Sequence, residues 1–290
     1  MIRKKIKSPL NYIGAKNKIL DQFLPLLPNQ INTFVDLFAG GCNVGINVNA
    51  KKIYFNDNLT FLIEMYKKFK EHDFENILKH IHSRVNQFEL STTNTEGYNK
   101  MRTIYNEQKN PLDLFVLIAF SFNHQIRFNN NHKFNNPFGK ERSSFNSKMK
   151  QNLEDFIYKL KSIESEFTSY CFSDFDFSIL KNNDYVYCDP PYLITTGSYN
   201  DGKRGFKGWS EKEEIMLLKV LNDLDENKVK FGLSNVLEHK GKSNDILKKW
   251  LHDNPKYIVN YMNISYSNSN YQTIIRDKDA SVEVFITNYK

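Results

Sequence analysis

The chain predicts an α/β fold, and three observations carry that prediction. Strand-like apolar runs at residues 33–38, 52–56 and 185–188 alternate with stretches of helical periodicity. The first run leads into a glycine turn, Ala39-Gly40-Gly41-Cys42-Asn43-Val44-Gly45, with a helix expected after it. The second ends at an acid, Asp57. A strand, a glycine turn and a downstream acid bring backbone and carboxylate close to a nucleoside-like ligand, the carboxylate accepting two ribose hydroxyls at once. Asp57 as a plain helix N-cap is the other reading. The full dinucleotide glycine pattern and a Walker lysine are absent.

At 290 residues the chain suits one large α/β domain or a core domain with an insertion, and 40% hydrophobic residues can fill its core. The net charge of +7 points to a polyanionic partner, although lysines that merely solvate helix faces produce the same excess. Cys42, Cys171 and Cys188 are odd in number, far apart and inside apolar stretches. That predicts reduced thiols in a cytoplasmic protein rather than a disulfide framework. No Cys/His cluster has zinc-ligand spacing, so no metal site is expected. The basic start lacks the apolar core of a signal peptide, and the longest apolar run, residues 112–122, is too short to span a bilayer.

In chain order, Asn11-Tyr12-Ile13-Gly14-Ala15-Lys16 precedes a helix expected over residues 17–27. A glycine turn with a lysine just inside a helix start is an anion seat or an ordinary loop. Beyond Asp57, residues 59–89 read as helical, followed by helices over 98–108 and 111–122. Residues 123–140 have the most unusual composition: Asn123, Gln125, Arg127 and Asn129 are side chains of the kind that pair with base edges, interleaved with aromatics that stack or wedge. Two short runs about an asparagine-rich turn predict a hairpin; a polar loop without that role is the alternative. Residues 146–166 read as helix and 168–172 as a strand, ending in Ser173-Asp174-Phe175-Asp176.

The run Tyr185-Val186-Tyr187-Cys188 then ends on Asp189-Pro190-Pro191-Tyr192. Each proline fixes its own φ and Pro190 holds Asp189 extended, so a stiff strand end presents a carboxylate, carbonyls and a ring. That set suits a planar amine, whose two hydrogens a carboxylate and a carbonyl accept while the ring stacks. A strand followed by a Pro-Pro turn and a surface tyrosine is the bland reading. Residues 195–208, rich in Gly, Ser and basic residues and opening onto Trp209, are where a substrate lid would sit. Ser210 and Glu213 form a capping box, with strands over 228–233, 256–264 and 282–287 and a helix over 244–252.

These stretches, in this order and together with Phe134-Asn135-Asn136-Pro137-Phe138-Gly139, resemble the Dam-type DNA adenine N6-methyltransferases through most of the chain. The resemblance implies a Rossmann-like, S-adenosylmethionine-dependent sheet, mostly parallel and seven-stranded, with helices on both faces. It also implies a catalytic part over residues 1–62 and 163–290 and a mainly helical target-recognition insertion with a β-hairpin over 63–162. By motif match Tyr12, Gly14 and Lys16 line the methionine end of the cofactor, Phe38 and Gly40 pass beneath it, Asp57 holds the ribose, and Asp174 with Phe175 frames the adenine. Asp189 touches cofactor and target, Pro190 and Pro191 complete the catalytic loop, and Tyr192 stacks on a flipped base.

In the hairpin, which includes Asn129, Arg127 matches an arginine that reads a guanine and Pro137 a proline facing a thymine methyl. Phe122 and Asn123 match residues that fill or wedge the stack. Several positions depart from the pattern: Tyr12 replaces a tryptophan, Gly41-Cys42 stand where a small residue and a glycine are usual, Asn11 replaces a base-reading lysine, and Gln125 a leucine. The family default is a four-base site such as GATC, and Asn11 and Gln125 leave that open.

The expected function is methyl transfer to N6 of adenine in duplex DNA. The same chemistry on RNA adenine or DNA cytosine N4, and a catalytically silent DNA-binding homologue, are the alternatives. A monomer is expected; working alone, guarding against a separately acting restriction endonuclease and serving a phage are all left open by the sequence.

Overall fold

The computed structural model describes residues 5–12, 14, 16, 19–195, 209–263 and 281–290. A short helix α1 (Leu20–Phe23) leads to β1 (Ile31–Asp36) and β2 (Ala50–Asn56). Helices α2 (Thr60–Glu71), α3 (Phe74–Gln87), α4 (Thr95–Gln108), α5 (Pro111–Phe120) and α6 (Ser147–Lys161) precede β3 (Glu164–Thr168) and β4 (Tyr185–Cys188). The chain closes with α7 (Glu211–Glu226), β5 (Lys230–His239), β6 (Lys242–Ser243), α8 (Asp245–Asp253), β7 (Ile258–Tyr261) and β8 (Ser281–Thr287).

The sheet runs β3-β2-β1-β4-β5-β8-β7, with β6 pairing only β5. Its first five strands are parallel, while β8 is antiparallel to both β5 and β7. Strand order reverses between β1 and β4, the point at which open α/β sheets bind ligands beyond their carboxyl ends. Alternation along the strands splits the core between the two faces. Phe34, Tyr185, Tyr187 and Phe285 pack with α1 to α6, whereas Val35, Val186, Cys188, Val284 and Ile286 pack with α7 and α8. Helices therefore cover both faces, as the resemblance implied.

Local expectations hold in part. The capping box on α7 is present, with Ser210 and Glu213 in both reciprocal contacts. The three cysteines are free thiols. The helix expected after the glycine turn is replaced by a single 3-10 turn, Gly45–Asn47. Asn43 and Asn47 there turn their amides to the N-terminal segment: Ser8 N–H donates to Asn43 Oδ1 at 3.1 Å and Ile6 N–H to Asn47 Oδ1 at 2.9 Å. The helical stretch over 59–89 is two helices, broken at His72 and Asp73, both extended. The strand expected at 168–172 lies earlier, as β3. It is an edge strand of polar sequence, so it lacks the apolar signature of a buried strand. The expected lid at 196–208 lies outside the described residues, as does the end of the strand expected over 256–264.

Candidate active site

The parallel strands deliver acids to one edge of the sheet. Asp36 ends β1, Asp57 follows β2, and Asp189 follows β4. Cys188 pairs with Leu233 of β5, so the stiff Asp-Pro-Pro turn leaves the sheet between β1 and β5. Asp189 keeps 18% of its side chain exposed, and its Oδ1 lies 2.9 Å from the Lys16 ammonium. Lys16 also donates to the Tyr192 hydroxyl at 2.6 Å, and that hydroxyl donates to Asp189 Oδ1 at 3.1 Å. Burial pushes the Asp189 carboxyl up from its ordinary value, with Lys16 and the Tyr192 hydroxyl opposing the shift. The Tyr192 ring is buried rather than surface-exposed.

The glycine turn is built by close approach. Gly40 takes φ +46°, and a Cβ there would meet Tyr12 Cε1 at 2.7 Å, so the Tyr12 ring lies directly on the turn. Asp57 fastens this turn from below: its Oδ2 accepts the Gly40 N–H and its Oδ1 the Leu59 N–H, each at 2.9 Å. The N-cap position of α2 is Leu59, so Asp57 tethers the turn instead of capping the helix. Tyr66 donates its hydroxyl to the Gly40 carbonyl at 3.0 Å. Cys42, where a glycine is usual in the family, adopts φ +57° and donates its N–H to the Ala39 carbonyl. Asp36 Oδ2 accepts the Gly45 N–H at 2.9 Å. Burial pushes Asp36 up to about 7, against the pull of that N–H and with Asp189 and Asp57 adding.

An aromatic wall flanks the turn. Phe38 stands edge-on to Trp209 at 5.6 Å and beside Phe172 at 5.5 Å. Phe175 meets the Tyr54 ring edge-on at 6.0 Å, while Asp174 is exposed on the preceding 3-10 turn. Gly14, at φ +80°, is exposed. The structure thus gathers Tyr12, Lys16, Gly40, Asp57, Asp189 and Tyr192 about the ends of β1, β2 and β4, with Phe38 beside them and Asp174 and Phe175 beyond β3.

The hairpin forms, though in minimal form. Its arms meet in two isolated antiparallel bridges, Phe128 with Phe134 and Ser121 with Phe138. Phe128 stacks on Phe61 at 4.7 Å and anchors the arms to α2. Much of the asparagine content is scaffolding. Asn129 Oδ1 accepts the N–H groups of Asn131 and Lys133, Asn106 clasps both backbone groups of Phe134, and Asn136 Nδ2 donates to the carbonyls of Phe122 and Gln125. Phe122, Asn123, Arg127 and Pro137 are exposed and Gln125 is half-buried. The Arg142 guanidinium lies 5.3 Å from the Phe122 ring centre. Asn123 sits at φ 54°, and its carbonyl accepts from Asn11 Nδ2 at 3.0 Å, which fastens the hairpin base to the N-terminal motif.

Sequence reasoning missed Asp36, Glu283, Asn56 and Tyr66. Asn56, 1% exposed, donates to the carbonyls of Leu37 and Tyr170 and so laces together the chain leaving three strands. The available signal was an acid or amide inside an otherwise apolar strand, as in Phe34-Val35-Asp36-Leu37 and Val282-Glu283-Val284.

Comparison with known proteins agrees with this geometry. The D12 class N6 adenine-specific DNA methyltransferase family matches residues 12–285. The chain is 49% identical over 288 residues to the modification methylase StsI of Streptococcus sanguinis, covering 99% of this chain and 44% of that protein. It is 51% identical over 284 residues to the type II methyltransferase M.FokI of Planomicrobium okeanokoites, covering 98% and 43%. A DNA adenine methylase of Salmonella typhimurium is 24% identical over 237 residues, covering 80% and 81%. The chain thus spans less than half the length of the first two relatives. It belongs to the D12 class N6 adenine-specific DNA methyltransferase family.

Proposed function

We propose that the chain transfers a methyl group from S-adenosylmethionine to N6 of an adenine flipped out of duplex DNA at a short recognition sequence. The observation that carries this reading is Asp189 held at a rigid strand end, beside Lys16 and an acid-lined glycine turn. The donor set fits the cofactor. A sulfonium and an ammonium suit a site with Asp36, Asp57, Asp189 and Glu283 in one another's fields, and the Gly40 turn leaves backbone bare for close approach. Tyr12, Gly14, Lys16, Phe38 and Gly40 would hold it with Asp189, Asp57 would take the ribose, and Asp174 and Phe175 the adenine ring. When bound, S-adenosylmethionine supplies an electrophilic methyl whose bonding electrons return to sulfur.

The amine of adenine is a poor nucleophile because its lone pair is delocalised into the ring. The Asp189 carboxylate and Pro190 carbonyl accept its two N–H groups and localise that pair as nitrogen becomes tetrahedral. These bonds strengthen in the transition state, where they accelerate reaction. Nitrogen then carries one proton too many, and the Asp189 carboxylate is placed to accept it. Lys16 favours the ionised form of that carboxylate against the push of burial, and alignment alone supplies roughly 7–11 kcal/mol of the barrier. Flipping costs a few kcal/mol, and Tyr192 stacking returns about 1–3 kcal/mol.

Residues 63–162 form the proposed recognition part, with Arg127, Pro137, Phe122, Asn123 and Gln125 at the DNA. The names of two relatives carry the word modification or type II, and the proposed role is the protective half of a restriction-modification pair, acting as a monomer. Sequencing that detects modified bases, on DNA from cells expressing the chain with no other methyltransferase, tests the reading. N6-methyladenine confined to one short motif, lost in Asp189→Ala, is expected. Methylated cytosine, or unmodified DNA from soluble protein, overturns it.

A further inference from the structure

Glu283 is a buried acid that the proposed chemistry leaves without a role. It is 4% exposed, and among the described residues its Oε1 accepts no hydrogen bond. Buried polar atoms are rarely left so, and each exception asks for a partner. The sheet fixes where it faces. On β8, Val284 and Ile286 pack with α7 and α8, whereas Phe285 packs on Phe23 and Tyr187. By alternation Glu283 shares the Phe285 face, where α1 lies. Because β8 is antiparallel to β5, Glu283 pairs with Val236, further along β5 than the Leu233–Cys188 pair. It therefore stands past the end of β4, at the edge that carries Asp189.

We infer that Glu283 receives, on Oε1, the α-ammonium of the amino-acid end of the bound cofactor, while Lys16 faces its α-carboxylate. This rests on the proposed use of S-adenosylmethionine. The amino-acid end is a zwitterion, and a buried acid within the field of a buried lysine is its complement. Asp189 lies against both cofactor and target in the proposed reading, but its Oδ1 is already engaged by Lys16 and Tyr192, so the ammonium is left to a second acid. Among the described residues the charged groups that act on Glu283 are Lys16, from the N-terminal segment, and Asp189, from the loop after β4. Burial lifts its carboxyl to about 7, with Lys16 opposing and Asp189 adding. Without cofactor the carboxyl is therefore partly protonated near neutrality, and a bound ammonium expels that proton.

Calorimetric titration of the full chain between pH 6 and 8, in two buffers of different ionisation enthalpy, tests this with three ligands. These are S-adenosylmethionine, S-adenosylhomocysteine, and 5′-methylthioadenosine, which lacks the amino-acid end. For the first two, binding is expected to release protons and to tighten as pH rises through 7; for the third, neither. Glu283→Gln should weaken both amino-acid-bearing ligands roughly ten- to hundredfold, reduce their proton release, and leave 5′-methylthioadenosine unchanged, which also shows an intact fold. Equal weakening of all three, or of none, overturns the inference. So does weakening of S-adenosylmethionine alone, which would put Glu283 at the sulfonium. If the variant does not fold, equal proton release by all three ligands on the unaltered chain overturns it. Failure of the unaltered chain to bind any of them overturns the cofactor reading itself.

Discussion

Lys16 Nζ lies 2.9 Å from Asp189 Oδ1, joining a motif near the start of the chain to the strand end that bears the carboxylate proposed for catalysis. Lys16 is the largest influence opposing the upward push of burial on that carboxyl. Removing it, as in Lys16→Met, should raise the Asp189 pKa further, because the nearest opposing positive charge is lost. The proposed mechanism needs the carboxylate, which is lost as pH falls through its pKa. The acid limb of kcat, measured at saturating cofactor in single-turnover methylation, should therefore move to higher pH. An unmoved limb would show that Lys16 does not set the Asp189 charge.

Asp36 makes the opposite kind of contribution, because its cost falls on stability. Its carboxyl is raised from 3.8 to about 7, so the native state keeps the proton that the unfolded chain gives up. Stability from this group is complete below about pH 4 and is lost as pH rises to about 7. Asp36→Asn should remove that loss and stabilise the protein at pH 8 by on the order of 2–4 kcal/mol, since the amide oxygen can still accept the Gly45 N–H. Urea unfolding at pH 5 and 8 checks this: the unaltered chain should lose more stability over the interval than the variant.

How far the sequence revealed this arrangement depends on whether a residue's role is local. The Asp-Pro-Pro-Tyr turn was legible because prolines stiffen the chain wherever they stand, and the capping box because its partners are three residues apart. The 3-10 turn at Gly45–Asn47 was not, because Asn43 and Asn47 bond with Ser8 and Ile6, across |i−j| separations of 35 and 41. Asn129 looked like a base-reading side chain, since an amide presents the same groups to a base edge and to a backbone. Only its contacts with the Asn131 and Lys133 N–H groups show it engaged within the hairpin. Glu283 was hidden because its strand pattern reads correctly without it.

Gly40 is required by conformation and by space at once. At φ +46° an alanine pays the left-handed penalty of about 1–2 kcal/mol. Its Cβ would also come 2.7 Å from Tyr12 Cε1 and displace that ring. Gly40→Ala should lower the thermal midpoint by several degrees and weaken cofactor binding, with both readable in one ligand-shifted melting series. Tyr12→Ala in the same background should restore part of the stability by opening the space, but not the binding. Full tolerance of Gly40→Ala would mean that the turn relaxes without Tyr12.

The hairpin separates reading from scaffolding in a way that two variants can resolve. Arg127 is exposed and its backbone is already paired, its carbonyl accepting from Asn135 N–H at 3.0 Å, so truncating the side chain leaves the arms intact. Arg127→Ala should relax discrimination at a single base pair by roughly tenfold or more, as loss of a bidentate guanine contact does, with little change in stability. Asn129→Ala removes the acceptor that holds the N–H groups of Asn131 and Lys133, and should cost about 1 kcal/mol of stability while weakening DNA binding evenly across sequences. Methylation rates on substrates with each site base replaced in turn check both. The two profiles differ in kind, because a residue that reads a base changes one position whereas one that holds the turn changes all of them. If Asn129→Ala altered a single position, the asparagine would be reading DNA as well as shaping the loop.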